Sequence, residues 1–341
     1  IDPDSQLLTV SVYRRPLPAA NLSFLSAVMF DGRETLAPLA SPQTFAANLR
    51  ADLARQASDA TTGHAQARSP PADAVVQSIV DFELGLFTAQ YADRTAGPLD
   101  ARGADGGPID LAAQRYYPGI NDPLGADPAG APFAPDAMSL FRAWESSAGE
   151  PGDGDDGERA RADIAAGERL FNSEVLRIRD VRGLNDNASL GRPALILGHC
   201  STCHDAPNVG NHSLPLPLDI GTAHSADPSL EPDPRIRAAV AQLDPPQLPV
   251  FLISGCPDAF GSGRSASFYT TDPGRALITG RCSDLNLIKG PVLRGLAARA
   301  PYFHNGAAST LMQVVNFYDQ RFEIGLTLQQ KRQLAAFLDS L

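Results

Sequence analysis

Two cysteines and a histidine stand together in the chain at the spacing Cys-x-x-Cys-His: Cys200, Cys203 and His204. Thiols at this spacing on one turn of chain are placed to form thioethers with the two vinyl groups along one edge of a porphyrin. The histidine that follows then lies beneath the ring with a nitrogen directed at the iron. The motif therefore predicts covalent attachment of a c-type haem, with His204 as the metal ligand.

Three other interpretations of this motif fit less well. A zinc knuckle needs a second close pair of ligands, but Cys256 and Cys282 are isolated from each other and from the motif. A thioredoxin-like redox pair needs a strand and a helix around it, whereas the flanks here resemble loops. A disulfide between Cys200 and Cys203 would leave the adjacent histidine without a role. We therefore favour haem attachment.

The chemistry of such a haem depends on the ligand opposite His204. A methionine thioether there is typical of electron transfer, but the chain has only three methionines. Met312 is the one that follows the motif. It lies in a predicted helix whose buried face is formed by Leu311, Val314 and Val315, so its simpler interpretation is a partly exposed helix residue. The shortage of methionines argues mildly against a His/Met haem.

Histidines are the other candidates for the far side of the haem. His64 lies in a polar segment; if it faces the iron, it would ligate it at rest or, unligated, move a proton across a bound peroxide as a general acid–base. Its alternative interpretation is a surface histidine in a loop. His212 and His224 follow the motif in a loop rich in proline and glycine, where they would pack at the haem edge or bond a propionate, or do neither. His199 is most simply part of the attachment turn.

The chain has 341 residues and is acidic, with 39 Asp and Glu against 28 Lys and Arg and a formal net charge of −11. This length allows two domains with cores of their own. The negative charge argues against nucleic acid or an anionic membrane surface as a partner and suits a basic redox partner. No run of about 20 apolar residues occurs, so we expect no membrane span.

The first residue, Ile1, is not an initiator methionine, so we expect the chain to be a processed form or a fragment. Covalent haem attachment in bacteria takes place outside the cytoplasm, which predicts a periplasmic protein whose leader has been removed. In that oxidising space Cys256 and Cys282 would form a disulfide worth roughly 3 kcal/mol. Two free buried cysteines are the alternative.

An acidic, glycine-rich stretch at 146–160 is predicted to be a linker that divides the chain into residues 1–145 and 161–341. The second part begins with a helical pattern at 161–171. It ends with another at 327–341, which has a threonine N-cap and one apolar stripe. A helix at each end, with the haem motif after the first, is how a small class-I-type cytochrome is built.

The first part has a weaker pattern. Helices are predicted at 45–56 and 74–90, and residues 92–137 lack a clean period and are rich in Gly, Pro and Asp. Strand-like runs occur only at 8–13 and 250–253. The predicted fold class is therefore mainly α, with cytochrome c-like helical domains and extensive irregular loops.

Several segments resemble the bacterial diheme cytochrome c peroxidases, a family that includes the diheme enzyme that matures methylamine dehydrogenase. Its C-terminal signature has a lysine-x-proline-x-leucine-arginine stretch, which matches Lys289–Arg294, followed by proline-tyrosine-x-histidine-x-glycine, which matches Pro301–Gly306. Residues 326–341 resemble the family's final helix. Residues 28–34 (VMFDGRE) resemble its tryptophan-aspartate-glycine-arginine motif.

The resemblance implies an exported haem oxidoreductase that reduces hydrogen peroxide or a similar small oxidant. Its electrons would come from a small cytochrome c or a cupredoxin. Oxidation of a protein or organic substrate at a distance is a related alternative. A non-catalytic electron-transfer cytochrome c is the alternative from another class. The same resemblance implies that residues 1–145 are the remainder of an N-terminal cytochrome c-like domain with a long loop, and that 161–341 are the C-terminal cytochrome c domain.

The signature also implies haem contacts. Arg294 and Lys289 are predicted propionate partners, because guanidinium pairs with carboxylate bidentately and ammonium as a point charge; a merely solvated Lys289 is the alternative. Tyr302 and His304 are predicted to bind the cofactor. In relatives a methionine or tyrosine near this locus ligates the N-terminal haem, and Phe303 offers no such donor.

By order along the chain, His64 falls where the family places its distal acid/base glutamate, and it is therefore a predicted catalytic residue. Phe30 is the second, because it stands where relatives have a tryptophan that relays electrons between two haems. A phenyl ring is far harder to oxidise than an indole, so hopping through this position is in doubt. Direct tunnelling between close haems would not need it.

The family has two haems, but this chain has one Cys-x-x-Cys-His motif. The first motif of relatives lies upstream of the segment that resembles 30–33, and the residues before Phe30 contain no cysteine. Either the natural protein continues upstream of Ile1 or this member has lost a haem; the abrupt start favours truncation. The family also tends to hold calcium between its domains, which nothing in this sequence supports or excludes.

Overall fold

The computed structural model describes residues 11–35, 45–147, 155–257 and 265–341. This part of the chain contains eight α-helices and three short two-stranded antiparallel sheets. The helices are α1 (Phe45–Asp59), α2 (Asp73–Leu84), α3 (Gly107–Ala113), α4 (Asp156–Ser173), α5 (Pro234–Val240), α6 (Ala276–Thr279), α7 (Leu311–Arg321) and α8 (Leu328–Asp339). The strands are β1 (Ala92–Asp93), β2 (Gly97–Pro98), β3 (Leu176–Ile178), β4 (Ile196–Gly198), β5 (Phe251–Pro257) and β6 (Ser265–Thr270). Helix and loop thus dominate, as the predicted mainly α class requires.

Helices α4 and α8 pack against each other and carry much of the main core. Their contact is close because Gly167 of α4 lies against the backbone carbonyl of Gln333, where a Cβ would collide. The Thr327 side chain accepts a hydrogen bond from the Gln330 backbone N–H, which confirms the predicted N-cap of α8. Helix α4 begins earlier than the predicted start at 161, because the Asp155 side chain caps it.

The predicted linker at 146–160 is therefore not a loop throughout. Its last residues belong to α4, and residues 148–154 lie outside the described residues. The main core also joins side chains from both predicted parts: Leu99 and Trp144 lie in one apolar cluster with Ile164 and Phe337. The division at the linker stays a prediction.

Helices α1 and α2 form a second apolar cluster in which Leu53 and Val80 are fully buried. Ala206 and Val209 from the loop after the haem motif complete this cluster. The sheet formed by β1 and β2, together with α3, gives residues 92–137 more regular structure than the predicted irregular excursion. Helix α2 ends at Leu84 rather than at 90.

The predicted strand at 8–13 begins in residues 1–10, which lie outside the described residues. Its remaining residues, 11–13, are not in a strand. The predicted strand at 250–253 is found as part of β5. Cys256 of β5 and Cys282 are joined in a disulfide, the first of the two alternatives open for this pair. None of the helices in the described ranges is both long enough and apolar enough to cross a bilayer.

Candidate haem site

The Cys-x-x-Cys-His motif lies on a 3₁₀ turn, Cys200–Thr202, directly after β4. The backbone N–H of His199 donates to Oγ1 of Thr202 at 2.9 Å, and the N–H of His204 donates to the Cys200 carbonyl at 3.0 Å. These bonds close the turn and bring both thiols and the imidazole to one side. Both cysteines are free and half-buried. Burial raises the pKa of each thiol to about 12, which is opposite to what a reactive redox pair needs.

A backbone carbonyl sets the orientation of the His204 ring. Nδ1 of His204 lies 2.6 Å from the carbonyl oxygen of Gly210, and burial lowers the pKa of this histidine to about 4. The neutral imidazole therefore donates its Nδ1 proton to Gly210 and keeps the lone pair at Nε2. A ligand histidine is usually oriented in this way, by a hydrogen bond from its other ring nitrogen.

Cys200, Cys203 and His204 line a cavity of about 420 Å³. Its walls are mainly apolar and come from α4, α7, α8 and the loops between them. They include Phe171, Leu216, Leu296, Val315, Tyr318 and Leu338. No carboxylate is found among the lining residues in the described part of the chain. An apolar slot of this kind with thiols at one edge fits a porphyrin ring.

Three cations line the same cavity: Arg15, Lys289 and Arg299. Lys289 is 8% exposed and has no carboxylate partner among the described residues. Burial, with a smaller contribution from Arg299, lowers the pKa of Lys289 to about 8. Because two propionates leave every haem on one edge, a cavity without acidic residues but with three cations is suited to them.

Tyr302, Phe303 and His304 of the signature segment also line the cavity. The Tyr302 hydroxyl donates to the carbonyl of Leu296 at 3.0 Å. His304 is almost fully buried; its Nε2 makes no hydrogen bond and lies 3.6 Å from Oδ2 of Asp272. Burial lowers the pKa of His304 to about 4, so this second imidazole is neutral as well.

Phe30 packs against His304, with ring centroids 6.1 Å apart, and lines the cavity. It is held by a buried ionic network. The guanidinium of Arg14 pairs with both Asp31 and Asp272, and Arg33 pairs with Asp31 at 2.7 Å. Burial opposes ionisation of Asp31, but the hydrogen bonds from the two arginines prevail and hold its pKa below the usual range. The carboxylate is therefore charged, and the network fixes the segment that carries Phe30.

Two predicted site residues do not line the cavity. His64 is exposed at the end of a π-helical turn, Ala60–His64, that follows α1. Arg294 is buried but donates to the carbonyls of Asn208, at 2.9 Å, and Gly107, at 3.2 Å. Its guanidinium thus ties the loop after the haem motif to α3, and its predicted pairing with a propionate stays a prediction.

The three methionines have separate surroundings. Met138 is fully buried in the main core, Met29 packs against the second cluster, and Met312 is half-buried on α7. None of the three lines the cavity. The structure therefore offers no thioether for a His/Met haem within the cavity.

The remaining histidines have different surroundings. His212 lines the cavity and is buried, whereas Nδ1 of His199 is bonded to a backbone carbonyl outside it. His224 lies between Asp219, at 3.1 Å, and Glu231. Burial disfavours its charge, but the two carboxylates raise its pKa to about 10. His224 is thus an imidazolium in a structural ion-pair cluster rather than a haem contact.

Sequence reasoning missed several residues of the site. Arg15 and Arg299 line the cavity, Gly210 orients the proximal histidine, and Arg14 and Asp272 hold the wall around His304. Of these five residues, only Arg299 had a signal in the sequence, because it directly precedes Ala-Pro-Tyr in the signature segment. The other four have no spacing that marks them.

A comparison with protein families matches the segment that carries Lys289 and His304. Residues 289–324 match the family model described as RoxA-like, cytochrome c-like. The chain is similar to cytochrome c peroxidases. It is 41% identical over 78 residues to cytochrome-c peroxidase IdrP2 of Denitromonas iodatirespirans, which covers 21% of each chain. It is 26% identical over 208 residues to cytochrome-c peroxidase IdrP1 of the same organism, which covers 54% of this chain and 49% of the relative.

A further match, to cytochrome-c peroxidase IdrP1 of Pseudomonas sp. (strain SCT), is 33% identical over 81 residues. It covers 20% of this chain and 21% of that relative. The chain thus spans about half the length of one of these relatives and about a fifth of the other two. These similarities support a c-type haem protein of cytochrome c peroxidase-like character.

Proposed function

We propose that the protein is an exported c-type haem oxidoreductase that reduces hydrogen peroxide or a similar small oxidant, with electrons from a small cytochrome c or cupredoxin. One observation carries the proposal. One apolar cavity contains a proximal histidine whose Nε2 is left free by the bond from its Nδ1 to Gly210, and two further buried histidines, His212 and His304, but none of the three methionines. The similar proteins are named cytochrome-c peroxidases, which supports the same activity.

The chain's own residues would hold the cofactor in defined ways. Cys200 and Cys203 would form the thioethers, and Nε2 of His204 would face the iron. Lys289 and Arg299 would offset the propionate charges. When bound, a c-type haem supplies an iron that exchanges electrons and takes a small oxidant at its open side. The apolar walls of the cavity would keep water away from the group held there.

His304 is the residue that we assign to proton handling in the cavity. The Asp272 carboxylate lies 3.6 Å from its Nε2 and favours a proton on that nitrogen. Phe30 packs against the ring at a steep angle of 67°. Its place on the cavity wall thus favours His304 over the exposed His64 for the general acid–base role that peroxide cleavage needs.

Haem content is the first test of the proposal. We propose one covalent haem in this chain, and the number of haems in the natural protein decides between a diheme enzyme and a single-haem protein. A pyridine haemochrome spectrum, set against the intact mass of the protein from its own periplasm, gives the number of haems per polypeptide. Two haems on a chain heavier than 36.0 kDa support the diheme assignment. One haem on a chain of this mass refutes it and favours the electron carrier.

The state of the iron and the role of His304 form the second test. A five-coordinate, high-spin ferric spectrum supports the enzyme, whereas a low-spin spectrum unmoved by reduction, cyanide or peroxide supports a closed electron-transfer centre. His304→Gln should slow peroxide reduction by about 10²–10⁴-fold. His64→Ala is the matched control, and we expect it to keep the parent's rate. The reverse pattern would return the acid–base role to His64.

A further inference from the structure

A cluster of three ionisable side chains lies behind the haem cavity. Asp122, Asp205 and His212 each offer one potential metal-ligand atom, and these atoms all lie within 4.8 Å of one another. Their exposed fractions are 1%, 0% and 6%, so the cluster is sealed from solvent. Asp205 follows the haem motif directly, and His212 is the member that also lines the cavity.

The hydrogen bonds of the cluster leave ligand atoms unused. Oδ2 of Asp122 accepts from two backbone N–H groups of its own loop, but Oδ1 is buried without any partner. Asp205 accepts from the backbone N–H and the hydroxyl of Ser213, both at 2.7 Å. The His212 nitrogen near Asp205 is Nδ1, which lies 3.5 Å from Oδ1 of that carboxylate, and Nε2 of the same ring is buried and makes no hydrogen bond. Two buried polar atoms of the cluster thus lack the partner that such atoms almost always have.

The charge of the cluster is also unbalanced. Within the described ranges, neither carboxylate forms an ion pair with lysine or arginine. Two carboxylates buried this closely repel each other, and burying them without a counter-charge is costly. A divalent cation between them would offset both charges and give the buried Oδ1 of Asp122 the partner that it lacks.

We propose that Asp122, Asp205 and His212 bind one divalent transition-metal ion, of which zinc is the probe we choose. The donor set of two carboxylates and one imidazole is typical of zinc and related ions. Calcium takes oxygen ligands instead, commonly from six to eight of them. The site is therefore distinct from the haem iron and goes beyond the proposed activity.

The ion would join two loops. Asp122 lies in the irregular part of the first half of the chain, and the other two ligands lie in the loop that follows the haem motif. These loops already meet, since Gly119 N–H donates to the Ser213 carbonyl at 3.0 Å and the Asn121 side chain donates to the Asp205 carbonyl at 3.0 Å. The ion would therefore act as a structural clamp on the loop that orients His204.

Metal analysis of the intact haem protein tests the proposal. Elemental analysis should find one zinc or similar divalent ion per chain in addition to the haem iron. After treatment with a chelator, the protein should lose that ion, unfold at a lower temperature, and recover both properties when Zn²⁺ is added. A protein that contains no such ion and binds no added Zn²⁺, or one that binds calcium instead, overturns the proposal.

A pair of variants locates the site. Asp122→Asn should lose stoichiometric Zn²⁺ binding, whereas Asp127→Asn should retain it, because Asp127 is a buried carboxylate of the same loop that lies outside the cluster. Equal Zn²⁺ binding by the two variants overturns the assignment. Should Asp122→Asn fail to fold, chelation and Zn²⁺ titration of the parent still decide. Peroxide turnover is not a readout here, so failure of the metal site and failure of the proposed activity remain distinguishable.

Discussion

Replacing Gly210 with alanine tests whether the loop after the haem motif sets the orientation of His204. The Gly210 carbonyl accepts the Nδ1 hydrogen bond of His204, and its φ is 76°. An added Cβ would lie 2.7 Å from Cε of Met138 and 2.9 Å from Cβ of Leu293. The methionine tip is free to swing away, but the leucine Cβ is fixed to its backbone. The loop, and with it the carbonyl, must therefore move.

The size of the effect follows from two contributions. A left-handed backbone costs an L-residue such as alanine about 1–2 kcal/mol, and forcing an additional carbon into a packed site costs about 1–3 kcal/mol. We therefore expect Gly210→Ala to lower the free energy of unfolding by about 2–5 kcal/mol. Gly191 is the matched control, because its φ is 73° and no atom lies within 4 Å of its Cβ position. Gly191→Ala should lower the free energy by only about 1–2 kcal/mol.

Urea denaturation followed by circular dichroism gives the free energy of unfolding of each variant. The absorption spectrum and reduction potential of the haem report on its proximal ligand. We expect both haem properties to change in Gly210→Ala and neither to change in Gly191→Ala. Equal losses of stability in the two variants, with the parent's haem spectrum in both, would refute the reasoning.

Three further predictions concern stability. Burial raises the pKa of Glu168 from 4.5 to about 7, so between these pH values the folded chain keeps a proton that the unfolded chain releases. The free energy of unfolding should therefore fall by about 3 kcal/mol as the pH rises from 4.5 through 7. Glu168→Gln should remove that dependence in urea titrations at about pH 5 and pH 8. The pKa of His224 is raised from 6.5 to about 10, so its ion pairs should stabilise the fold fully below pH 6.5 and lose that effect as the pH rises through 10. His224→Gln should lower the free energy of unfolding by about 3–5 kcal/mol at pH 7 and by much less above pH 10. Equal losses at both pH values would contradict this. Reduction of the Cys256–Cys282 disulfide should lower the free energy of unfolding by about 3–4 kcal/mol, and a Cys256→Ser/Cys282→Ser variant should show the same stability with or without reductant.

The predicted site residues that have a fixed spacing in the sequence lie together in the structure, and their roles stay predictions. The haem motif, Lys289, Tyr302 and His304 all meet at the cavity, because a short motif or a contiguous signature keeps its residues together when the chain folds. The predicted N-cap at Thr327 was also correct, since capping depends on local residues alone.

The rest of the site depends on tertiary packing, which a single sequence does not show. Arg294 and Arg299 lie in one short segment and both donate to backbone carbonyls, yet of the two only Arg299 lines the cavity. Charge alone does not tell which way a side chain is directed. Gly210 offered no signal either, because its role rests on the direction of a carbonyl group. His64 was placed by order along the chain, which says little about distance in space.

The wall of the cavity is built from segments that are remote in sequence. The Arg15 guanidinium donates to the carbonyls of Arg299 and Pro301. The backbone N–H of Arg15 donates to the carbonyl of His304 at 2.7 Å. Contacts of such long range form late in folding, because the entropy of closing the intervening chain opposes them until other structure is in place. The thiols of the haem motif should therefore stay accessible until the segment that carries Arg15 packs against the cavity wall. Covalent attachment of the haem would have time to occur before this wall is complete.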